Sequence, residues 1–271
     1  MFTHIRKSIV AVTVLLGLST SLICTNAFAA NPTGLDIMNQ VDQLDDGNDQ
    51  SSKAIYTLIN RNNKKRIRHT VRFWKDYDGK KGVDSKMITF FQSPALVKGT
   101  GFLSWTYEED EKDDDQWLYL PALKKERRIA ASGKDNYFMG SDFTYDDMGE
   151  RKVDEDSHKL LKNEIYKGVD CYVVESTPIK KGMYSRRQTW VEKKNWLIQK
   201  VDYYDRKGRL LKTLNMQWQQ VKGLWTWKRG EMRNHLTKHA TLIDISAVRI
   251  NTGLKDRIFS IRTLKRGVKF K

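Results

Sequence analysis

From residue 54 onward the apolar positions recur with a period of two. Ala54, Tyr56 and Leu58 alternate with polar residues up to the turn-rich Asn60-Arg61-Asn62-Asn63. Beyond it Ile67, His69, Val71 and Phe73 share one face, and Arg66, Arg68, Thr70 and Arg72 the other, until Asp76-Tyr77-Asp78-Gly79 ends the run. Alternation on both sides of a short polar turn predicts a β-hairpin. Similar segments follow near 85–92, 96–107, 116–121, 124–131, 158–166, 169–177, 184–193, 196–205, 209–220 and 224–238, divided by turns such as Lys167-Gly168, Lys180-Lys181-Gly182 and Lys222-Gly223. About ten or eleven short strands with no helices between them predict an antiparallel sandwich or barrel. The chain has only four prolines, which suits long paired strands.

Two stretches break this period. Leu35, Met38, Val41 and Leu44 recur at helical spacing after Thr33, a residue that can cap a helix, and Asp46-Gly47 stops the pattern. Residues 133–150 have no period of two. Ser141 can cap a short helix through Tyr145 and Met148, ended by Gly149, and the glycines and aromatics here suit either a lid or a crossover loop packed on the sheet. The lid reading uses Phe138, Phe143, Tyr145 and Met148.

The first thirty residues have a different logic. His4, Arg6 and Lys7 form a positive start, an apolar run extends from Ile9 to about Ile23, and Ala27-Phe28-Ala29 places small residues where a signal peptidase needs them. The run is too short for a span of ~20 residues. The expectation is a signal peptide over residues 1–29, cleaved after Ala29, then a single domain over residues 30–271 in the periplasm. Cys24 follows Ile23 and Leu22, bulky residues that do not suit acylation. The mature chain keeps only Cys171, in the strand-like Cys171-Tyr172-Val173-Val174, where a buried inert thiol is expected.

Charge adds a second theme. The precursor carries +16; without Arg6 and Lys7, 47 basic residues face 33 acidic ones, a net charge near +14. Such a surface favours anionic partners, and export points to lipid or a membrane surface, with no nucleic acid. The charges are segregated: Glu108 to Asp115 and Asp142 to Glu150 are acidic, while Lys124 to Arg128 and the tail from Arg257 are basic. Each run also fits a solvated turn.

Candidate chemistry is sparse. His235 and His239 stand at i, i+4, but His235-Leu236-Thr237-Lys238-His239 lacks the glutamate of a zinc hydrolase and carries a lysine. Asp146, Asp147 and Glu150 fit a solvated acidic loop better than an acid–base pair. The sequence therefore predicts no enzyme, no metal and no cofactor. What it does carry is an aromatic surplus, including eight tryptophans, on strands whose other face is polar or basic. A curved sheet with one apolar face can wrap a ligand, or simply pack a core.

The run Gly99-Thr100-Gly101-Phe102-Leu103-Ser104-Trp105, the phrase Trp117-Leu118-Tyr119-Leu120-Pro121-Ala122-Leu123-Lys124-Lys125-Glu126-Arg127-Arg128, and the later Asp142-Phe143-x-Tyr145-x-Asp147 together resemble the outer-membrane lipoprotein-sorting protein family, a branch of the LolA/LolB-like superfamily. The resemblance covers nearly the whole mature chain. It implies a half-open antiparallel β-barrel that wraps short helices and encloses an apolar cavity. It also implies a carrier of lipids or of lipoprotein acyl chains, with an inner-membrane exporter of the RND (MMPL-like) type as a possible partner. By alternation, Val71, Phe73, Phe90, Leu103, Trp105, Leu118, Leu120, Met216 and Trp218 are expected to line that cavity, although a slip of one residue inverts a strand. Arg127 and Arg128 are expected at an anionic headgroup or a partner, because guanidinium pairs well with phosphate. The competing expectation is a docking module with a filled interior that meets a transporter or an anionic membrane through its basic face.

Overall fold

The computed structural model describes residues 31–109 and 112–268. The expected signal peptide, Cys24 and the last three residues lie outside the described residues. The chain forms thirteen strands in one antiparallel sheet. They are β1 (Asp49–Ile59), β2 (Lys65–Asp76), β3 (Val83–Ser93), β4 (Gly101–Tyr107), β5 (Asp115–Leu120), β6 (Lys125–Ile129), β7 (Asp156–Tyr166), β8 (Val169–Pro178), β9 (Tyr184–Glu192), β10 (Ile198–Asp205), β11 (Leu210–Val221), β12 (Leu224–Asn234) and β13 (Ala240–Ile250). Their spatial order is β6-β5-β4-β3-β2-β1-β13-β12-β11-β10-β9-β8-β7. Two meanders, β1 to β6 and β7 to β13, are thus joined where β1 pairs with β13. The strands β6 and β7 are the two free edges, so the sheet curls without closing. The half-open antiparallel architecture is as expected, but with thirteen strands instead of ten or eleven.

The main addition is β13, which lies at the middle of the sheet. Its alternation is broken by a register shift against Ser51 and Lys53 and by Ala247 in the left-handed region, so a count by strict period passes over it.

Helix α1 (Gly34–Asp42) starts where Thr33 and Asp36 exchange hydrogen bonds in a capping box. Its start lies directly on β7: a Cβ on Gly34 would come 2.6 Å from the Lys159 backbone nitrogen. Ile37 is buried against Val174 and Val191 on the concave side of the sheet.

Both faces of the sheet are covered over β2–β4. Asp49 accepts backbone hydrogen bonds from Thr252, Gly253 and Leu254 at 2.9, 2.8 and 3.2 Å, which turns the chain after β13 back across the convex face. Burial pushes the Asp49 carboxyl up, but these donors outweigh it and hold its pKa below the usual value. The segment ends in α2 (Ile261–Arg266), capped by Ser260, and lays Phe259 and Leu264 over Val71, Phe73, Ile88, Phe90 and Leu103. Trp105 packs at the edge of the same cluster and donates its indole N–H to the Phe259 carbonyl at 3.2 Å. Five residues expected in the cavity, Val71, Phe73, Phe90, Leu103 and Trp105, therefore sit on the opposite face. The alternation was real, but a C-terminal cover makes the convex face apolar as well, and period alone does not say which apolar face is the inner one.

Phe259 is 1% exposed. Phe259→Ala is expected to lower the unfolding free energy in urea by about 3–5 kcal/mol, the usual range for emptying a buried phenylalanine site. A loss below about 1 kcal/mol would mean that the C-terminal segment is not part of the core.

Candidate functional site

Because β6 and β7 are consecutive in sequence yet at opposite edges, the chain between them must cross the concave side. Residues 131–149 do so as a plug inside the shell. Phe138 is fully buried and meets Phe102 edge-on at 5.1 Å and Tyr145 at 5.6 Å. Leu118 and Leu120 pack into the same cluster. Phe143 joins a second cluster with Tyr56, Leu214, Met216 and Ile243, and Met148 touches both. The aromatics read as a possible lid thus form an inner wall, since their apolar rings gain most where β1–β5 and β10–β13 both reach them.

Polar anchors fix the plug from beneath. Lys212 on β11 is fully buried, and its Nζ donates to the Asp147 carboxylate at 2.8 Å and to the Asp142 carbonyl at 2.9 Å. Burial works to raise the Asp147 pKa, but the Lys212 ammonium, the Thr144 N–H and the Tyr184 hydroxyl keep it below its ordinary value. Asp142 Oδ2 accepts from Thr241 Oγ1 at 2.7 Å and lies 2.7 Å from His239 Nδ1. Arg68 donates to the Met139 carbonyl, and Gln116 to the Tyr145 carbonyl at 2.9 Å. The motif Asp142-Phe143-x-Tyr145-x-Asp147 is therefore the set of residues that seats the plug. The expectation of a solvated acidic loop fails at Asp142 and Asp147, which have partners far away in sequence. His235 lies 2.8 Å from Thr213 Oγ1, so both histidines of the i, i+4 pair face hydroxyl or carboxylate partners.

The plug fills only part of the concave side. The remainder is a cavity of about 1210 Å³ between the plug, α1 and strands β1, β2, β11, β12 and β13. Trp218, Trp227, Ile198, Ile245 and Phe143 give it an apolar wall, and Trp218 and Trp227 meet edge-on at 6.4 Å. Thr226, between Trp225 and Trp227, is 5% exposed, and its hydroxyl has no hydrogen-bond partner among the described residues. Of the nine residues expected to line the cavity, Trp218 does so. Leu118, Leu120 and Met216 face the concave side, but outside the cavity lining. Residues the alternation passed over, Trp74, Met87, Ile245 and Trp227, do line it. Arg127 and Arg128 lie on the edge strand β6, away from the cavity; Arg128 pairs with Asp115, because that edge is where β6 meets the acidic start of β5.

One end of the cavity is acidic. Asp46, Asp76, Asp84 and Glu150 line it, with Arg72 among them. Glu150 accepts from Trp74 Nε1 at 2.7 Å and from Ser85 Oγ at 2.5 Å. Arg72 donates Nε–H to the Met87 sulfur at 3.0 Å, and burial lowers its pKa. Asp46 stands on an exposed turn at the border of the cavity. Partial desolvation by the surrounding protein, followed by the Glu150 charge, pushes its carboxyl up to about 7. Burial and then Glu150 likewise raise Asp84 to about 6. The group is short of positive charge. Cys171 is buried on the convex side, and burial raises its thiol to about 11, as befits an inert cysteine.

Comparisons with known proteins agree with this architecture. A protein-family model described only as that of an uncharacterised protein matches residues 83–266. The crystal structure of a DUF1329 family protein from Desulfovibrio piger is 34% identical, with a TM-score of 0.81, over 85% of this chain and 97% of that one. The chain belongs to the DUF1329 family. A proposed outer membrane lipoprotein-sorting protein domain from Vibrio parahaemolyticus is also 34% identical to this DUF1329 protein, with a TM-score of 0.81 over 86% of this chain and 98% of that one. A LolA superfamily protein from Nitrosomonas europaea shares the fold at 20% identity and a TM-score of 0.67, over 85% and 99% of the two chains. Among curated proteins none matches significantly. The resemblance to lipoprotein-sorting proteins of the LolA-like type therefore holds, and the plug motif that carried it is structural in this DUF1329 chain.

The acidic end generates a pH prediction. A carboxyl with a raised pKa binds its proton more tightly in the folded state, so stability falls as pH rises from the ordinary carboxylate range through about 6 to 7. Asp46→Asn is expected to raise the melting temperature near pH 8 and to change it little near pH 5. An equal effect at both pH values would show that Asp46 titrates normally.

Proposed function

We propose that this DUF1329 protein is a periplasmic carrier or chaperone that shields the acyl chains of a lipid or lipoprotein in its concave cavity and exchanges them with a membrane partner. The observation that carries the reading is a cavity of about 1210 Å³, with an apolar wall on β11–β13, inside a LolA-like half-barrel. Bringing an acyl chain of ~15 carbons through water costs on the order of 12 kcal/mol, at ~0.8 kcal/mol per methylene, and a soluble carrier must offset nearly all of it with apolar surface. The walls of Trp218, Trp227, Ile198 and Ile245 offer such surface. The description of the Vibrio relative as a lipoprotein-sorting domain supports both the class of cargo and a periplasmic location. An RND (MMPL-like) exporter is the partner that the family resemblance suggests. The expected signal peptide, cleaved after Ala29, and a single mature domain over residues 30–271 belong to the same proposal.

The reading needs no catalytic group. Two of the titratable residues along the cavity have structural duties: Glu150 holds Trp74 and Ser85, and Asp147 holds the plug. A docking module without cargo would fit a filled interior, and this interior is not filled.

Two changes correct the sequence-based site. The lining proposed for cargo is Trp218 together with residues of β2, β12 and β13, in place of the face that carries Val71, Phe73, Phe90, Leu103 and Trp105. The plug is a wall, so entry and release are assigned to the side bounded by α1 and the acidic end.

Ile245 is half-buried in the lining. Ile245→Arg is expected to weaken uptake of a fluorescent acyl lipid by at least about tenfold, because it puts a charge where an acyl chain would lie. Ile245→Leu should leave uptake near that of the parent. Unchanged uptake in a folded Ile245→Arg protein would count against cargo in this cavity.

A further inference from the structure

Successive connections in an antiparallel sheet alternate between its two rims. Six of them, at residues 60–64, 94–100, 121–124, 179–183, 206–209 and 235–239, emerge on one rim. Together they contain ten lysines and arginines and no aspartate or glutamate. Arg206 and Arg209 are paired, with Asp135 and Asp205; among the described residues the other eight cations of these turns show no ion pair. Four of the six turns also expose a large aliphatic side chain. Leu96 is 93% exposed, Ile179 70%, Leu123 63% and Leu236 48%. Each has lysine within two residues: Lys98, Lys180, Lys124 and Lys238. The Leu96 and Leu123 turns lie side by side, since a Cβ on Gly99 would come 3.2 Å from Pro121 Cγ.

Isolated exposed leucines are ordinary on a protein surface. One per turn, each beside cations, on turns that themselves hold no acid, is the pattern of a surface that inserts apolar tips between anionic headgroups. The opposite rim differs over β1–β5. Its connections there include Asp45, Asp46, Asp78, Asp113 and Asp114, and the cavity lies toward that side. An anionic surface is therefore attracted along the whole of the first rim, whereas on the opposite rim it meets carboxylates over β1–β5.

We propose that this rim docks on an anionic phospholipid bilayer, with Leu96, Leu123, Ile179 and Leu236 entering the headgroup layer and the unpaired lysines above it. Docked this way, the cavity's acidic end faces away from the bilayer, open to a protein partner. The inference goes beyond the carrier reading and does not depend on it, because none of the four tips lines the cavity.

The test is co-sedimentation of the mature chain with vesicles of phosphatidylcholine containing about one-third phosphatidylglycerol, against vesicles of phosphatidylcholine alone. Binding is expected only to the anionic vesicles, weakening as salt rises. The quadruple variant Leu96→Ser, Leu123→Ser, Ile179→Ser and Leu236→Ser should bind at least about tenfold more weakly with an unchanged melting temperature, because these side chains are exposed. The variant Lys180→Glu/Lys181→Glu should also bind more weakly. Equal binding by the quadruple variant would overturn the insertion of the tips. Absent binding, or equal binding to neutral vesicles, would overturn the surface altogether. Ile245→Arg separates the two readings: lost lipid uptake with retained sedimentation leaves both standing, whereas uptake retained by a folded Ile245→Arg protein with sedimentation lost in the quadruple variant refutes the cavity and keeps the docking rim.

Discussion

The interior is organised around the ion pair between Lys212 and Asp147. A sheet that curls without closing leaves its concave side open, and the segment from β6 to β7 has to cross it. An ammonium that is fully buried must be paired, or it costs several kcal/mol. Here Asp147 and the Asp142 carbonyl pair it at 2.8 and 2.9 Å, and both belong to the crossing segment. The plug is therefore tied to β11 by a charge that cannot be left alone. Once the plug is seated, Phe138, Phe143 and Tyr145 take their places in the two concave clusters. The space left between plug, α1 and β11–β13 is the cavity. Its size and walls follow from where the plug stops.

That dependence sets the character of the site. The cavity is bounded by an apolar wall on β11–β13 and an acidic end near α1 and Glu150. The chain as a whole is strongly basic, yet the carboxyls there are short of cations and two are raised toward neutrality. The six turns of the far rim carry ten lysines and arginines and no acid. One molecule thus has two chemically distinct ends: an acid-bordered opening into an apolar space, and a set of basic turns tipped by aliphatic side chains.

The strand pattern was legible along most of the chain because hairpins announce themselves by alternation and by turn residues. Helix α1 was legible for a similar reason, through Thr33 and its helical spacing. The facing of β2–β4 was not, because Val71 and Phe73 are as apolar as Thr70 and Trp74 are inward. Only the C-terminal cover, held by Asp49 more than two hundred residues earlier, explains an apolar outer face. Strand β13 was missed where a bulge and Ala247 break the period. The motif Asp142-Phe143-x-Tyr145-x-Asp147 marked the right place with the wrong meaning. Its acids look solvated in sequence because their partners, Lys212, His239 and Thr241, come from another meander.

The central claim is that the cavity holds acyl chains. Native mass spectrometry of the mature protein, taken gently from a periplasmic fraction and followed by organic extraction and lipid analysis, tests it most directly. The account predicts a bound amphiphile at near-stoichiometric occupancy, lost in Ile245→Arg. A clean apo mass, with no uptake of offered phospholipid or acylated peptide, would contradict it.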